Sequence, residues 1–299
     1  MISSDATTIP TDIHTQLTAS EWRRQMTDHE QKISARLDPY LRRRSEQQKD
    51  PVMDFLFEYY AFRPSHLRRW SPGLGTLLLG GNAREWQFDE MSSRGEDCYL
   101  DIAGFPADRI SSLQWILDVL RNSGKRRPSF GCFGMHEWAM VYKADRVRHQ
   151  HLSLRMDREE LAAFVDSRPL LCTHFDAHRF FTEEAKPQNK FELNREKFHE
   201  MEQPGCLHTN MDLYKWAFKM YPWISSNTIL RAFELAVETR VTDMKASPYD
   251  LRHRGLTPIR IETEAGRLEY VEKQRAVYEK SKPVRRQLIS EYRQIQEAI

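Results

Sequence analysis

The segment Ser226–Ala246 constrains the fold most. Leu230, Phe233, Val237, Val241 and Met244 recur at helical spacing along it, and Ser247-Pro248 closes it. Apolar residues repeating at about three and four positions mark a helix with one inward face rather than a strand. Asn210–Tyr221 repeats the pattern with Leu213, Trp216, Ala217 and Met220 on one stripe, and Leu268–Ile299 reads as a charged helix interrupted near Pro283. Near the start, Thr18 followed by Glu21 is a capping box opening a helix with Trp22, Met26, Ile33 and Leu37 mostly on one face. Asp38-Pro39 and Asp50-Pro51 each look like a cap followed by a first-turn proline. The second pair would start a buried helix carrying Met53, Phe55, Leu56, Tyr59 and Tyr60. A short helix follows Pro64.

The middle of the chain is mixed. Ser71–Asn82 reads as a glycine-rich loop, Gln87–Asp101 has weak strand character, and Ala107–Asn122 is a helix with Ile110, Leu113, Ile116, Leu117 and Leu120 inward. Asp157 caps a helix running to Ser167; Trp138–Tyr142 fits strand or helix. Leu170–Phe175 and Ile259–Thr263 suit short strands. The expectation is a mainly α fold: a single helical domain with a few short strands over 18–299, ending in the charged C-terminal helix, after a flexible leader over 1–17.

Composition bounds function by exclusion. With 40% hydrophobic residues in 299, the chain buries a real core. No apolar run approaches the ~18 residues that cross a bilayer, and the polar start lacks the form of a secretory signal. The protein is expected to be cytoplasmic with no membrane partner. The four cysteines form no C-x-x-C pair, so disulfide staples and zinc ribbons are not expected. The net charge is +2, which gives no global attraction to nucleic acid. Basic residues nevertheless cluster at Arg36 and Arg42–Arg44, at Arg63, Arg68 and Arg69, at Arg121 and Lys125–Arg127, and at Arg146, Arg148, His149 and His151. Solvated helix faces account for such clusters more readily than a phosphate-binding face. Phosphate-binding glycine loops, dinucleotide fingerprints, nucleophile elbows and the H-E-x-x-H zinc motif are all missing from the sequence.

The chemistry-bearing features are three cysteine–histidine pairings: Cys132 with His136, Cys172 with His174, and Cys206 with His208. Histidine and thiolate are favoured ligands of zinc and related ions. A three-histidine divalent-metal site from His136, His174 and His208 is the preferred version, with Glu137 or Asp176 as base for a metal-activated water. In an extended strand Cys172, His174, Asp176 and His178 would share a face. Against this stand buried cysteines acting as small hydrophobes and histidines hydrogen-bonded in a core. Carboxylates among aromatics, as at Glu137 and Asp176, are where raised pKa values and general-base roles arise. Lys215 makes an ordinary surface ion pair the reading for Asp212. Glu234, Glu238, Arg240 and Asp243 sit on the long helix; Glu234 and Glu238, one turn apart, can set two carboxylates on one face, though for these two a solvated face is the simpler account.

Four blocks carry a family resemblance. They are Phe130–Tyr142, Cys172–Thr182, Gln203–His208 running into Met211–Ala217, and Phe233–Ala236 with Asp243, Met244 and Ala246–Leu251. With Asp54–Phe57 and Leu67–Gly73, they resemble a bacterial family labelled 3-methyladenine DNA glycosylase over about residues 50–252. The resemblance implies hydrolysis of the N-glycosidic bond of an alkylated purine flipped out of DNA. It implies a cationic-base pocket of Trp138, Tyr142, Phe175, Tyr214, Trp216 and Tyr249, with Asp176, Glu137 and His174 as catalytic residues. The leucine-proline-glycine hairpin of one major glycosylase class is missing; Gln203-Pro204-Gly205 is only superficially similar. Two other readings stand beside it: a metal-dependent enzyme acting on a small molecule through a histidine/carboxylate pocket, and a non-catalytic binding module.

Overall fold

A computed structural model describes residues 13–81, 88–145, 147 and 151–299. The start of the leader, Asn82, Gln87, Arg146, Arg148 and His149 lie outside the described residues. The fold is mainly α with a small four-stranded sheet. Contacts gather the chain into two compact units. The first comprises 1–117, 215–232 and 286–299; the second comprises 118–214 and 233–285.

The first unit begins with strand β1 (Thr15–Leu17) and helix α1 (Ala19–Ser45). The capping box at Thr18 and Glu21 forms: the Thr18 N–H donates to the Glu21 carboxylate at 2.8 Å, and the Thr18 hydroxyl accepts from the Glu21 N–H. Trp22, His29, Ile33, Leu37 and Tyr40 line the buried face of α1. Pro39 lies inside this helix rather than starting a new one. The burial of Leu37 and Tyr40 on either side outweighs the single lost hydrogen bond. Asp50 caps a turn through the N–H groups of Val52 and Met53, which leads into a π-helical turn at Phe55–Tyr59. Helix α2 (Pro64–Arg68) follows. The expected loop contains a strand, β2 (Thr76–Leu78), all three residues of which are buried. Its neighbouring glycines masked a short apolar run. β2 pairs parallel with β1 and antiparallel with β4 (Asp97–Leu100), which closes a hairpin with β3 (Met91–Arg94). Trp22, Trp70 and Leu78 form a core cluster against this sheet. The opening turns of α3 (Ile110–Lys125) bury Leu113, Ile116 and Leu117, whereas Ile110 is exposed instead of inward. Basic clusters of this unit pair with acids: Arg43 with Asp50 at 2.7 Å, and Arg68 with Asp38.

The second unit holds α4 (Met135–Ala139), α5 (Arg158–Asp166), α6 (Phe175–His178) and α7 (Phe198–Met201). It also holds the larger parts of α8 (Leu207–Lys219), α9 (Ser226–Ala246) and α10 (Glu264–Ala298). Asp157 caps α5, accepting from the Glu160 N–H at 2.8 Å. Two expected strands are not formed. Leu170 makes only an isolated bridge to Asn189, and Ile259–Thr263 forms turns stabilised by the Thr263 N–H to Arg260 carbonyl bond. Helix α10 runs unbroken through Pro283, because buried residues recur on both sides of it, from Val277 and Ser281 to Val284 and Leu288. Among the described residues no helix is long and apolar enough to cross a membrane.

Candidate functional site

Two glycines let the site assemble in the second unit. Gly134, at φ +74°, turns the chain into α4; a Cβ there would lie 3.2 Å from both the Ala246 Cβ and the Tyr270 ring. That close approach brings His136 and Glu137 against the last turns of α9. Gly205 passes so near Ser129 that a Cβ would sit 2.5 Å from its carbonyl oxygen, and Gln274 donates to the Gly205 carbonyl at 2.7 Å. Cys206 and His208 follow directly, at the start of α8.

α9 contributes the charged part. Phe233, Ala236, Arg240 and Asp243 share one buried helical face, so two charges are carried inward on an otherwise apolar stripe. His136 Nε2 donates to Asp243 Oδ1 at 2.7 Å, and Arg240 donates to Glu137 Oε1 at 2.7 Å and to Asp243 Oδ2. All four residues are at most 4% exposed. Burial by itself disfavours the His136 proton. The Asp243 charge and hydrogen bond, with Cys132 3.8 Å from Nδ1, more than offset this and hold its pKa well above the ordinary value. Burial likewise works against the Asp243 carboxylate, yet His136 and Arg240 keep it ionised below the usual range.

His174 precedes α6 and forms the other half. Three carboxylates surround its imidazole. Asp212 Oδ2 stands 4.0 Å from Nε2, Glu202 Oε1 stands 2.8 Å from Nδ1, and Asp176 follows two residues on. This 2.8 Å approach pairs the Glu202 carboxylate with the His174 ring. Burial opposes the His174 proton, but Glu202, Asp212 and Asp176 raise its pKa. The second Glu202 oxygen accepts from the Thr209 hydroxyl.

The three histidines converge. The His208 ring meets His136 edge-on at 4.4 Å between centroids and stacks on His174 at 5.1 Å. Burial, then the neighbouring His136, pushes the His208 pKa far down and leaves a neutral imidazole. The histidines divide between two ligand groups, His136–His208–Asp243 and His174–Asp176–Asp212, each with three donor atoms within 4.8 Å of one another. Burial first raises Cys172 and Cys206; neighbouring cysteines then add to the Cys172 shift and Glu202 to that of Cys206, so both remain thiols.

The remaining sequence candidates fall as follows. Glu137 is buried and tied to Arg240, which suits a positioning role better than a proton-accepting one. Asp176 is the half-buried member, touched from the exposed edge by Arg179 at 3.9 Å. It reaches His174 and Asp212 from a helical turn, not along the shared strand face expected for Cys172–His178. Asp212 is buried beside His174 instead of forming a surface pair. Trp138 donates to the Ala246 carbonyl at 2.9 Å and packs edge-on against Phe164, and Tyr142 donates to Asp166 at 2.6 Å. Tyr214 packs on Phe233, Tyr249 bridges Leu154, and Phe175 opens α6. Trp216 lies in the other unit, against Trp115. Glu234 and Glu238 are solvated, Glu238 pairing with Lys280 at 2.5 Å.

Sequence reasoning missed Glu202 altogether and gave Asp243 and Arg240 no role of their own, while the solvated face it favoured for Glu234 and Glu238 is what the fold shows. A readable signal existed for Asp243 and Arg240, since they continue the Phe233–Ala236 stripe at helical spacing. No protein-family model matches the chain, and neither a curated protein nor a solved structure matches it.

Proposed function

We propose that the protein is a metal-dependent hydrolytic enzyme acting on a small polar molecule, with His174, Asp176 and Asp212 as its metal ligands. The observation that carries this reading is the gathering of one imidazole and two carboxylates within 4.8 Å, with Asp176 at the half-exposed edge. One nitrogen and two oxygen donors suit a hard or borderline divalent cation. Such an ion, when bound, acidifies a coordinated water. Glu202 orients the His174 ring from the Nδ1 side, leaving Nε2 toward Asp212. Asp176 is the least buried of these carboxylates, so with one oxygen on the ion its other oxygen would take the proton of an incoming water.

The N-glycosylase reading has one observation on its side. Each of the four blocks carrying that resemblance contributes to the cluster: His136 and Glu137, His174 and Asp176, His208 and Asp212, and Asp243. A base-binding slot would need open aromatic faces, whereas Trp138, Tyr142, Tyr214 and Tyr249 are closed into the core.

The test uses protein purified without a histidine tag, its metal measured by mass spectrometry, and a panel of esters, phosphate esters and nucleosides as substrates. Metal near one ion per chain or more, with turnover lost in Asp176→Asn, is expected. Content far below one per chain and unchanged by His174→Ala overturns the reading. Release of 3-methyladenine from alkylated duplex DNA by metal-free protein would decide for the glycosylase.

A further inference from the structure

We infer that His136, His208 and Asp243 form a second cation site, inward of the one proposed above, which takes a zinc-like divalent ion and makes the centre dinuclear. The inference rests on the reading of the outer group as a metal centre and adds an ion to it.

The donor set is the first argument. Two imidazoles and one carboxylate, all at most 6% exposed, lie within 4.8 Å of one another, and nitrogen-rich sets of this kind suit zinc and its neighbours. The second argument is how Asp243 is held. Its Oδ2 is fixed by Arg240, which is itself anchored by Glu137, so Oδ1 is the oxygen left facing His136. A ligating carboxylate steadied through its other oxygen is the usual support of a metal site. The third argument is adjacency. His208 belongs to the inner group, yet its ring stacks on His174 of the outer group at 5.1 Å. Paired ions in hydrolytic centres are held by such neighbouring ligand groups, ~3.5–4 Å apart.

Chelator-stripped wild-type protein is dialysed to equilibrium against zinc and, separately, manganese, and bound metal is counted per chain. Two zinc ions are expected in wild type and one in each of Asp176→Asn and His136→Gln, with His208→Gln as a second probe of the inner site. Circular dichroism checks the fold of each variant. One ion in wild type, removed by Asp176→Asn but kept by both histidine variants, overturns the inner site and leaves the outer reading standing. One ion removed by the histidine variants but kept by Asp176→Asn supports the inner ligands and overturns both the outer site and the dinuclear centre. No bound ion in folded wild-type protein overturns both.

Discussion

Replacing Arg240 with methionine tests the electrostatic account of the site directly. The guanidinium is 2% exposed and donates to Glu137 and Asp243, which are 4% and 0% exposed. Methionine keeps most of the volume and removes the charge. Asp243 retains His136, whereas Glu137 loses a charged partner at 2.7 Å in a place water reaches poorly. A charge-assisted hydrogen bond contributes ~1.5–3 kcal/mol, and two are lost. Breaking a buried ion pair from one side costs ~3–5 kcal/mol, because the partner charge stays behind. Arg240→Met should therefore destabilise the protein by ~3–5 kcal/mol, a large share of the ~5–15 kcal/mol typical of a domain. Adding Glu137→Met removes the stranded charge. Since a buried pair is often worth little more than apolar residues of the same volume, the double variant should recover at least half of the loss. Urea denaturation, followed by far-UV circular dichroism and tryptophan fluorescence, gives midpoint and slope for each protein. A single variant within ~1 kcal/mol of wild type would mean that Glu137 is solvated or uncharged in the fold, contrary to the burial argument. A double variant as unstable as the two singles summed would show that the pair does not act as a unit.

Two further outcomes follow from local geometry. Gly266 lies in the first turn of α10, and a Cβ there would stand 1.9 Å from the Arg260 carbonyl oxygen, so Gly266→Ala must displace backbone and should cost ~2 kcal/mol or more in chemical denaturation. His29 is buried, and its ring donates to the Leu67 carbonyl at 2.8 Å; burial lowers its pKa, with Lys32 adding to that and the Leu67 bond and Glu30 opposing. The unfolded chain then takes up a proton near pH ~6.5 while the fold does not. Stability falls as pH drops below that value, until the lower folded pKa is passed, by ~1.4 kcal/mol per unit of difference. His29→Gln retains a donor without the titration, so its melting temperature should decline less than that of wild type between neutral and mildly acidic pH; parallel declines would refute the assignment.

Much of the helical framework was legible because periodicity and capping are local. α9, the capping box of α1 and the Asp157 cap of α5 required nothing beyond neighbouring residues. The errors lie where distant packing decides. Pro39 reads as the first turn of a continuation and Pro283 as an interruption, yet burial before and after each keeps its helix unbroken. Thr76–Leu78 is a strand because β1 and β4 flank it, which no window of its own sequence reveals. Ile259–Thr263 has strand-like residues but no partner strand, and it closes turns at the head of α10 instead. Cysteine–histidine spacing directed attention to His136, His174 and His208, whose rings the fold brings together. Their division between two carboxylate groups depends on Asp243 and Asp212, whose separations from His136 and His174 along the chain carry no motif.

The arrangement also has an inside and an outside. His136, His208, Asp243, Arg240 and Glu137 are all buried, and Asp176, on the short helix α6, is the ligand that meets the exposed edge. On the proposed reading a substrate would approach along α6, past Arg179, whose guanidinium faces carboxylate there and would equally face an anionic group. Stability alone does not explain such a site. Buried ion pairs seldom outperform apolar packing, and this one is assembled from four separate stretches of chain, helped into place by two glycines whose neighbours leave little or no room for a side chain. That cost is more readily understood if the donors now paired with one another are held in place for cations, with the inner group fixed and the outer group open to the reaction.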